Sequence, residues 1–244
     1  MTSARLLEKR CLVTGGSRGL GRAIVEAFAR EGARVAFTYS EDDVAARETL
    51  DAVPGSRAFK GSVSDGRHVK DVVGALVREW GGVDVLVNNA GITQVLPLAL
   101  IDEPDWDEVM SVNVKGAFLF SKAVLRSMIK ARRGSVLMIG NFASERLVEA
   151  PVHYAASKAA LRGLTEALAR EVGRYDVRVN LLAPGLMTVG LGAMLPEHRI
   201  REYVSQCASG RLMDPREVAE VAVFLASDAS AFVTGAKIVA DGGV

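Results

Sequence analysis

Short apolar runs, rich in β-branched residues, alternate along this chain with longer segments whose apolar positions recur every three or four residues. Leu12-Val13-Thr14 closes a first strand, and residues 19–31 read as a helix with Leu20, Ala23, Ile24, Ala27 and Phe28 on one face. The alternation continues with a strand over 34–39, a helix over 42–50, a short strand over 58–62 and a helix over 65–80. Residues 83–88 form a strongly apolar strand, 105–131 one long helix, 136–139 a strand, 152–175 a helix and 177–182 a strand. The last clear helix is 214–227 and the last strand 237–240. Strands that are apolar throughout and separated by helices predict a parallel sheet covered on both faces, an α/β doubly wound architecture. No linker, low-complexity tract or short-period repeat interrupts the pattern, so residues 1–244 are read as a single domain. The stretch 183–210 alone shows no regular period. Its Leu, Met and Gly content suggests an apolar substrate lid, with a packed surface excursion as the alternative.

Composition narrows the class. Lys plus Arg number 30 against 29 Asp plus Glu, which argues against a nucleic-acid surface driven by bulk charge. With 49% hydrophobic and 24% charged residues, disorder is excluded as the main state. Two cysteines, Cys11 and Cys207, cannot build a disulfide framework, and without a CxxC or Cys/His cluster no metal site is expected. Cys11 lies in an apolar run and reads as a small buried hydrophobe. The first residues contain no apolar signal core, and no apolar stretch approaches the ~20 residues of a membrane span, so a cytoplasmic protein is expected.

The candidate chemistry begins at Thr14-Gly15-Gly16-Ser17-Arg18-Gly19-Leu20-Gly21, between the first strand and the first helix. Gly15, Gly19 and Gly21 suit a tight turn, a close backbone approach and close helix packing, and the helix N-terminus offers free N–H groups to a pyrophosphate. The spacing is GxxxGxG rather than GxGxxG. A dehydrogenase using NAD usually carries Asp or Glu at the end of the second strand; here that end is Phe37-Thr38-Tyr39-Ser40, with no acid before Glu41. Arg18 in the glycine turn is placed to reach a 2′-phosphate. A missing carboxylate with an available guanidinium favours NADP. Further along, Tyr154 and Lys158 stand at i and i+4 of one helix and face the same way. An adjacent ammonium is expected to lower the phenol's pKa, fitting the pair for general acid catalysis on a forming alkoxide.

Together these residues resemble the short-chain dehydrogenase/reductase family, of the NADP-dependent β-ketoacyl-carrier-protein reductase type. The resemblance runs from Thr14–Gly21 through Asn88-Asn89-Ala90-Gly91, Val112-Asn113-Val114, Tyr154-Ala155-Ala156-Ser157-Lys158 and Pro184-Gly185. It continues in Gly210-Arg211-Leu212, Phe224-Leu225-Ala226-Ser227 and Asp241-Gly242-Gly243. The resemblance implies a single-domain Rossmann-type fold and an NADPH-dependent ketoreductase acting on a β-keto group of a carrier-bound acyl chain. The three-residue gap between Tyr154 and Lys158 argues against the enoyl reductases of the same superfamily, which use a wider one. By position, Tyr154 would protonate the carbonyl oxygen, Lys158 would also bond the nicotinamide ribose, and Asn113 would hold a water in the relay from Lys158. The cofactor would lie against Gly15, Ser17, Arg18, Gly19, Leu20, Gly21, Tyr39, Ser62, Val63, Asn89, Ala90, Gly91, Tyr154, Lys158, Pro184, Gly185 and Thr188. Asn88 to Gly91 would pack behind the adenosine.

The resemblance breaks at three places. Asn141 stands where the family's catalytic serine is expected, and Ser144 is a nearby substitute. An Asn NH₂ is also a donor of the kind used in oxyanion holes, so Asn141 is counted with Asn113, Tyr154 and Lys158. Ser62 replaces the usual adenine-bonding Asp, and Thr188 comes one place early after Pro184-Gly185. A reductase of a free small ketone or alcohol, and a silent NADPH-binding protein, remain alternatives. His153 is expected at the rim, and His68 and His198 in solvent. Arg132, Arg133 and Arg174 either face an acidic carrier protein or are simply solvated. A homotetramer is expected from the family, with Phe118, Phe120, Leu164 and Leu168 giving two helices apolar residues on more than one side.

Overall fold

The structure, a computed structural model, describes residues 4–146 and 148–244. Among the described residues seven strands form one sheet: β1 (Arg10–Val13), β2 (Arg34–Tyr39), β3 (Arg57–Lys60), β4 (Val85–Asn88), β5 (Gly134–Ile139), β6 (Val177–Pro184) and β7 (Lys237–Ala240). All pairings are parallel, in the order β3-β2-β1-β4-β5-β6-β7. Helices α1 (Gly19–Arg30) and α8 (Pro215–Ala226) cover one face, while α3 (Gly66–Trp80), α5 (Gly116–Ala131) and α6 (Val152–Val172) cover the other. Helix α2 (Asp43–Ala52) follows β2 and packs with the α1 side.

The pleat explains why the strands read as apolar throughout. Cys11, Val13, Val87 and Ile139 point to α1 and α8, and Leu12, Leu86, Val136 and Met138 point to α3, α5 and α6. The helices meet them with one stripe each. In α3 the stripe is Val69, Val72, Val73 and Leu76; Asp65 caps the start by accepting from Arg67 N, and Gly81 ends it at φ 78°. Helix α8 starts with a full capping box between Asp214 and Glu217, with Pro215 at its first position.

Two expected elements change. The helix expected over 105–131 is α4 (Glu103–Met110), a π-helical turn over Ser111–Lys115, and then α5. The stretch 183–210 is not irregular. β6 runs to Pro184, a 3₁₀ turn covers Gly190–Met194, and α7 (Glu197–Gln206) follows. The mostly polar α7 is held by Tyr203 and Val204, which join Phe142, Leu186 and Cys207 in a small separate core. That stripe is too narrow to stand out among charged neighbours. Of the four residues that give these helices apolar positions on more than one side, Phe120 and Leu168 lie in the chain's own core, Leu164 packs partly against it, and Phe118 is exposed. No helix among the described residues is long and apolar enough to cross a membrane.

At the amino ends of the strands, Arg10 and Asp84 lock β1 to β4. Arg10 donates from Nε to Asp84 Oδ2 at 2.6 Å, from Nη2 to Oδ1 at 2.7 Å and from its main-chain N at 3.0 Å. Arg133 Nε lies 3.1 Å from Asp84 Oδ1. Burial pushes the Asp84 carboxyl up, but the Arg10 hydrogen bonds and the charges of Arg10 and Arg133 outweigh it and hold the group below the usual carboxylate range. Such a depressed group stabilises the fold above its unfolded pKa of about 3.9, and that contribution disappears as pH falls through the lower folded value. Asp84→Asn is expected to cost about 3 kcal/mol at pH 7 in urea unfolding, because it strands a half-buried guanidinium. The difference from wild type should close below about pH 4; a gap that is the same at pH 7 and at pH 3 contradicts this account.

Candidate active site

The chain order reverses between β1 and β4, which opens a crevice at the carboxyl edge of the sheet. The singled-out residues gather along that edge. The glycine turn follows β1, Tyr39 ends β2, Ser62 and Val63 follow β3, Asn89 to Gly91 follow β4, Asn141 follows β5, and Pro184-Gly185 closes β6.

The turn after β1 is fixed by sterics and by its neighbour. Gly15 sits at φ 66° and Gly19 at φ 57°, and a Cβ on Gly21 would lie 2.0 Å from Gly15 O. Asn89 Nδ2 donates to Thr14 O at 3.0 Å and Gly15 O at 2.9 Å, while Thr14 Oγ1 accepts from Asn89 N and Ala90 N, each at 3.0 Å. Two adjacent loops are thereby stitched across the switch point. Thr14 was visible as the first residue of the glycine turn, but nothing in the sequence marked its hydroxyl as the acceptor for the loop after β4. Leu20 is buried, so only its main chain faces the crevice. Among the described residues no side chain caps the start of α1, which leaves the N–H groups of its first turn open to a ligand. These features fit a pyrophosphate.

Beyond β2, the side chain of Arg18 is 80% exposed, with Asp42 Oδ2 3.8 Å away. The two carboxylates after β2 differ in what they face: Asp42 keeps Oδ2 toward Arg18, and Asp43 has other partners. Asp42 caps α2 through Ala45 N, and Asp43 receives Tyr39 Oη at 3.0 Å and Lys60 Nζ at 2.6 Å. Ser62 is exposed and shares a 2.9 Å hydrogen bond with Ser64. Val63 is buried against Gly116, where a Cβ would lie 2.7 Å from Val63 Cγ2. Thr188 is exposed.

Helix α6 carries Tyr154 and Lys158. Lys158 is buried, its Nζ donating to Ile139 O at 2.9 Å and lying 5.6 Å from the centre of the Tyr154 ring. The expected lowering of the phenol is reversed. Burial pushes Tyr154 up to about 12 and Lys158 down to about 8. The desolvation that keeps the phenol neutral also makes the ammonium easier to discharge.

The π turn sets Asn113 inward. Its Oδ1 accepts from Ile92 N at 2.8 Å, and its Nδ2 donates to Ile92 O at 3.0 Å and Ser157 Oγ at 2.9 Å. Ser157 Oγ in turn donates to Tyr154 O at 2.7 Å. The Asn113 side chain thus holds the loop after β4 to the turn of α6 that bears Tyr154. Such π turns are frequent at functional sites. Here the helical period of the sequence conceals it. Gly91 keeps the approach open: a Cβ there would lie 3.3 Å from both Asn113 Oδ1 and Lys158 Nζ.

Asn141 is buried and caps a 3₁₀ turn, its Oδ1 accepting from Ala143 N at 2.9 Å. That bond assigns the oxygen and leaves the NH₂ as the side chain's free donor. Ser144 is a poorer substitute than its position suggested, because its hydroxyl donates to Asn141 O at 2.8 Å.

Other expectations fail on packing. His153 is fully buried, not at the rim. Gln94 donates to Asp105 Oδ1 at 2.8 Å, and its Oε1 sits 3.4 Å from His153 Nε2, so the loop after β4 closes over the imidazole. His68 is half-buried against Gly61 rather than solvated, and burial lowers its pKa. His198 is exposed. Arg132 ends α5, donates to Arg174 O at 2.9 Å and lies 3.3 Å from Asp176 Oδ2. That places it at the amino ends of β5 and β6. The length of a six-residue strand, about 20 Å, separates this edge from the one that carries Tyr154. Arg133 pairs with Asp84.

Comparison with known proteins is consistent with this geometry. Residues 15–244 match the family model described as Enoyl-(Acyl carrier protein) reductase. The chain is 39% identical over 243 residues to the 3-oxoacyl-(acyl-carrier-protein) reductase FabG of Thermotoga maritima, covering 98% of this chain and 99% of the relative. It is 37% identical to the protein of that name from Vibrio cholerae and 35% identical to that of Escherichia coli, in each case over 236 residues and 97% of both chains.

Thr14→Val removes the acceptor of two main-chain N–H groups and should lower stability by about 1–3 kcal/mol. Because both loops of the crevice lose their brace, NADPH should also bind more weakly by fluorescence titration. Unchanged unfolding and unchanged binding would show that the stitch is dispensable.

Proposed function

The chain belongs to the short-chain dehydrogenase/reductase family, and from that premise we propose that it is an NADPH-dependent reductase of the 3-keto group of acyl chains borne on an acyl carrier protein. The observation that carries this reading is the junction of β5 and α6. Lys158 Nζ bonds the carbonyl of Ile139, two residues before Asn141, so the acid Tyr154, the ammonium and a free amide donor converge on one end of the crevice. The family model and the relatives name different reactions. The relatives match nearly end to end, and the one-turn spacing of Tyr154 and Lys158 sides with keto reduction.

When bound, NADPH supplies a hydride to the carbonyl carbon. The chain's own groups deal with the oxygen. The Asn141 NH₂ donates to it as negative charge builds, and Tyr154 Oη gives it a proton. At neutral pH Tyr154 holds that proton and Lys158 is still mostly charged, so the phenolate formed by the transfer meets an ammonium. Asn113 and Ser157 hold the turn of α6 in place throughout. Arg18 takes the 2′-phosphate, turning to it from Asp42 Oδ2 3.8 Å away, while Asp43 is engaged by Lys60. Residues 183–210, with α7, form the lid over the substrate. We read the assembly as a homotetramer, which accounts for exposed Trp106, Phe118 and Val152 on the helices of one face. An acidic carrier protein is the partner. Within one chain, Arg132 and Arg174 lie at the wrong edge to bring a carrier's substrate to Tyr154.

NADPH should be preferred over NADH by at least about tenfold in kcat/KM, equivalent to about 1.4 kcal/mol. Arg18→Ala should raise KM for NADPH far more than for NADH; equal use of both cofactors by the wild type would overturn the assignment.

With a carrier-bound 3-oxoacyl substrate, Tyr154→Phe should abolish nearly all turnover while NADPH still binds. Asn141→Ala should cut kcat by roughly 10²–10³ and Asn141→Ser should stay within about tenfold of wild type. A wild type that binds NADPH but reduces no ketone, and that gains activity in Asn141→Ser, would instead identify a silent NADPH-binding protein. Faster turnover of free ketones than of the carrier-bound substrate would point to a small-molecule reductase.

A further inference from the structure

Glu145 follows the turn that Asn141 caps, and its side chain is only 2% exposed. Lys237 Nζ, at the start of the edge strand β7, lies 2.6 Å from Glu145 Oε2. Arg162 Nη1 lies 3.7 Å from the same oxygen. Arg162 continues the stripe of Tyr154 and Lys158 along α6 at four-residue spacing, so Glu145 meets the helix on the reacting pair's face. Ser144 Oγ lies 3.1 Å from Glu145 Oε1 and 2.8 Å from Asn141 O. The main chain closes the same turn, with Glu145 N donating to Phe142 O at 2.8 Å.

The keto reduction as read above makes no use of this cluster. Taking a carboxylate out of water is costly unless charged partners face it, and here two cations approach from different layers, an edge strand and a helix. Neither cation makes a hydrogen bond of good geometry to Oε2, so the hold is electrostatic: Lys237 is the close counter-ion, Arg162 adds a longer-range attraction, and together they bias the position of the backbone that carries Glu145. Asn141 needs that bias. Its donor sits one torsion further from the main chain than a serine hydroxyl, and the bond from Ala143 N that orients it comes from within the same short turn. If the turn rotates, the NH₂ rotates with it.

We propose that Glu145, ion-paired with Lys237 and faced by Arg162, is a positioning residue that fixes the Phe142–Ser144 turn and so aims the Asn141 amide at the substrate oxygen. The inference rests on the reading of Asn141 as a donor in keto reduction. Glu145→Gln keeps the shape and removes the charge. It should lower kcat about tenfold or more, as expected when a reacting group is misplaced, and leave KM for NADPH unchanged. Introduced into Asn141→Ala, the same change should produce no further loss, because the group it positions is already gone. Lys237→Met should act like Glu145→Gln, and the double variant Glu145→Gln/Lys237→Met, in which no charge is stranded, tests the pair if either single variant folds poorly.

Equal losses in both backgrounds would reduce Glu145 to a purely structural role and overturn the proposal, as would an unchanged kcat in an active enzyme. Side-chain amide NMR decides the placement without turnover. The Asn141 NH₂ pair, identified by its loss in Asn141→Ser, should collapse toward solvent-averaged shifts in Glu145→Gln while the Asn113 pair stays put. An unmoved Asn141 pair overturns the inference. A wild type inert toward ketones brings down the proposed function, and the NMR result still decides whether Glu145 holds Asn141.

Discussion

A parallel sheet covered on both faces has only its strand ends left for chemistry, and the reversal of chain order between β1 and β4 decides where on that edge a ligand can enter. Everything at the site depends on those two strands staying in register with their loops parted. Arg10 and Asp84 secure the pair at the amino end, and Thr14 and Asn89 secure it at the carboxyl end. The first is ionic and weakens in acid. The second is a set of neutral hydrogen bonds, insensitive to pH, placed where a cofactor's phosphates need the backbone held open.

From that frame the reacting groups are assembled by burial rather than by mutual charge. Lys158 and Tyr154 are both desolvated, so each is pushed toward its neutral form. For a reductase this direction suits the acid, which must hold its proton until the substrate oxygen demands it. The ammonium then matters most at the instant the phenolate appears. Asn113 contributes through geometry. The π turn swings its amide onto Ile92 and Ser157, locking the loop after β4 to α6. At Asn141 the backbone of a 3₁₀ turn ties up the side-chain oxygen and leaves the NH₂ free to donate.

Much of this was legible in the sequence. The strand and helix order follows from hydrophobic period, since a strand buried on both faces and a helix buried on one carry different patterns, and the glycine turn, Tyr39, Tyr154 and Lys158 announce themselves by residue type and spacing. Where the pattern misled, a local rule met a neighbour it could not see. His153 lies beside Tyr154 in a helix whose flank the loop after β4 covers, so a polar residue expected at the rim became fully buried. The residues of α7 look like loop because a single narrow stripe anchors them.

The sequence by itself determined the layers, the order of the elements and the family, because these depend on period, residue type and motif spacing. Only the tertiary structure decided the direction in which Tyr154 and Lys158 shift, the pairing of Asp43 with Tyr39 and Lys60, the bond that turns the Ser144 hydroxyl onto Asn141 O and the burial of Glu145 beside Lys237. Each of these depends on a partner far along the chain or on exclusion of water, and neither distance nor dielectric is written in a local pattern of residues.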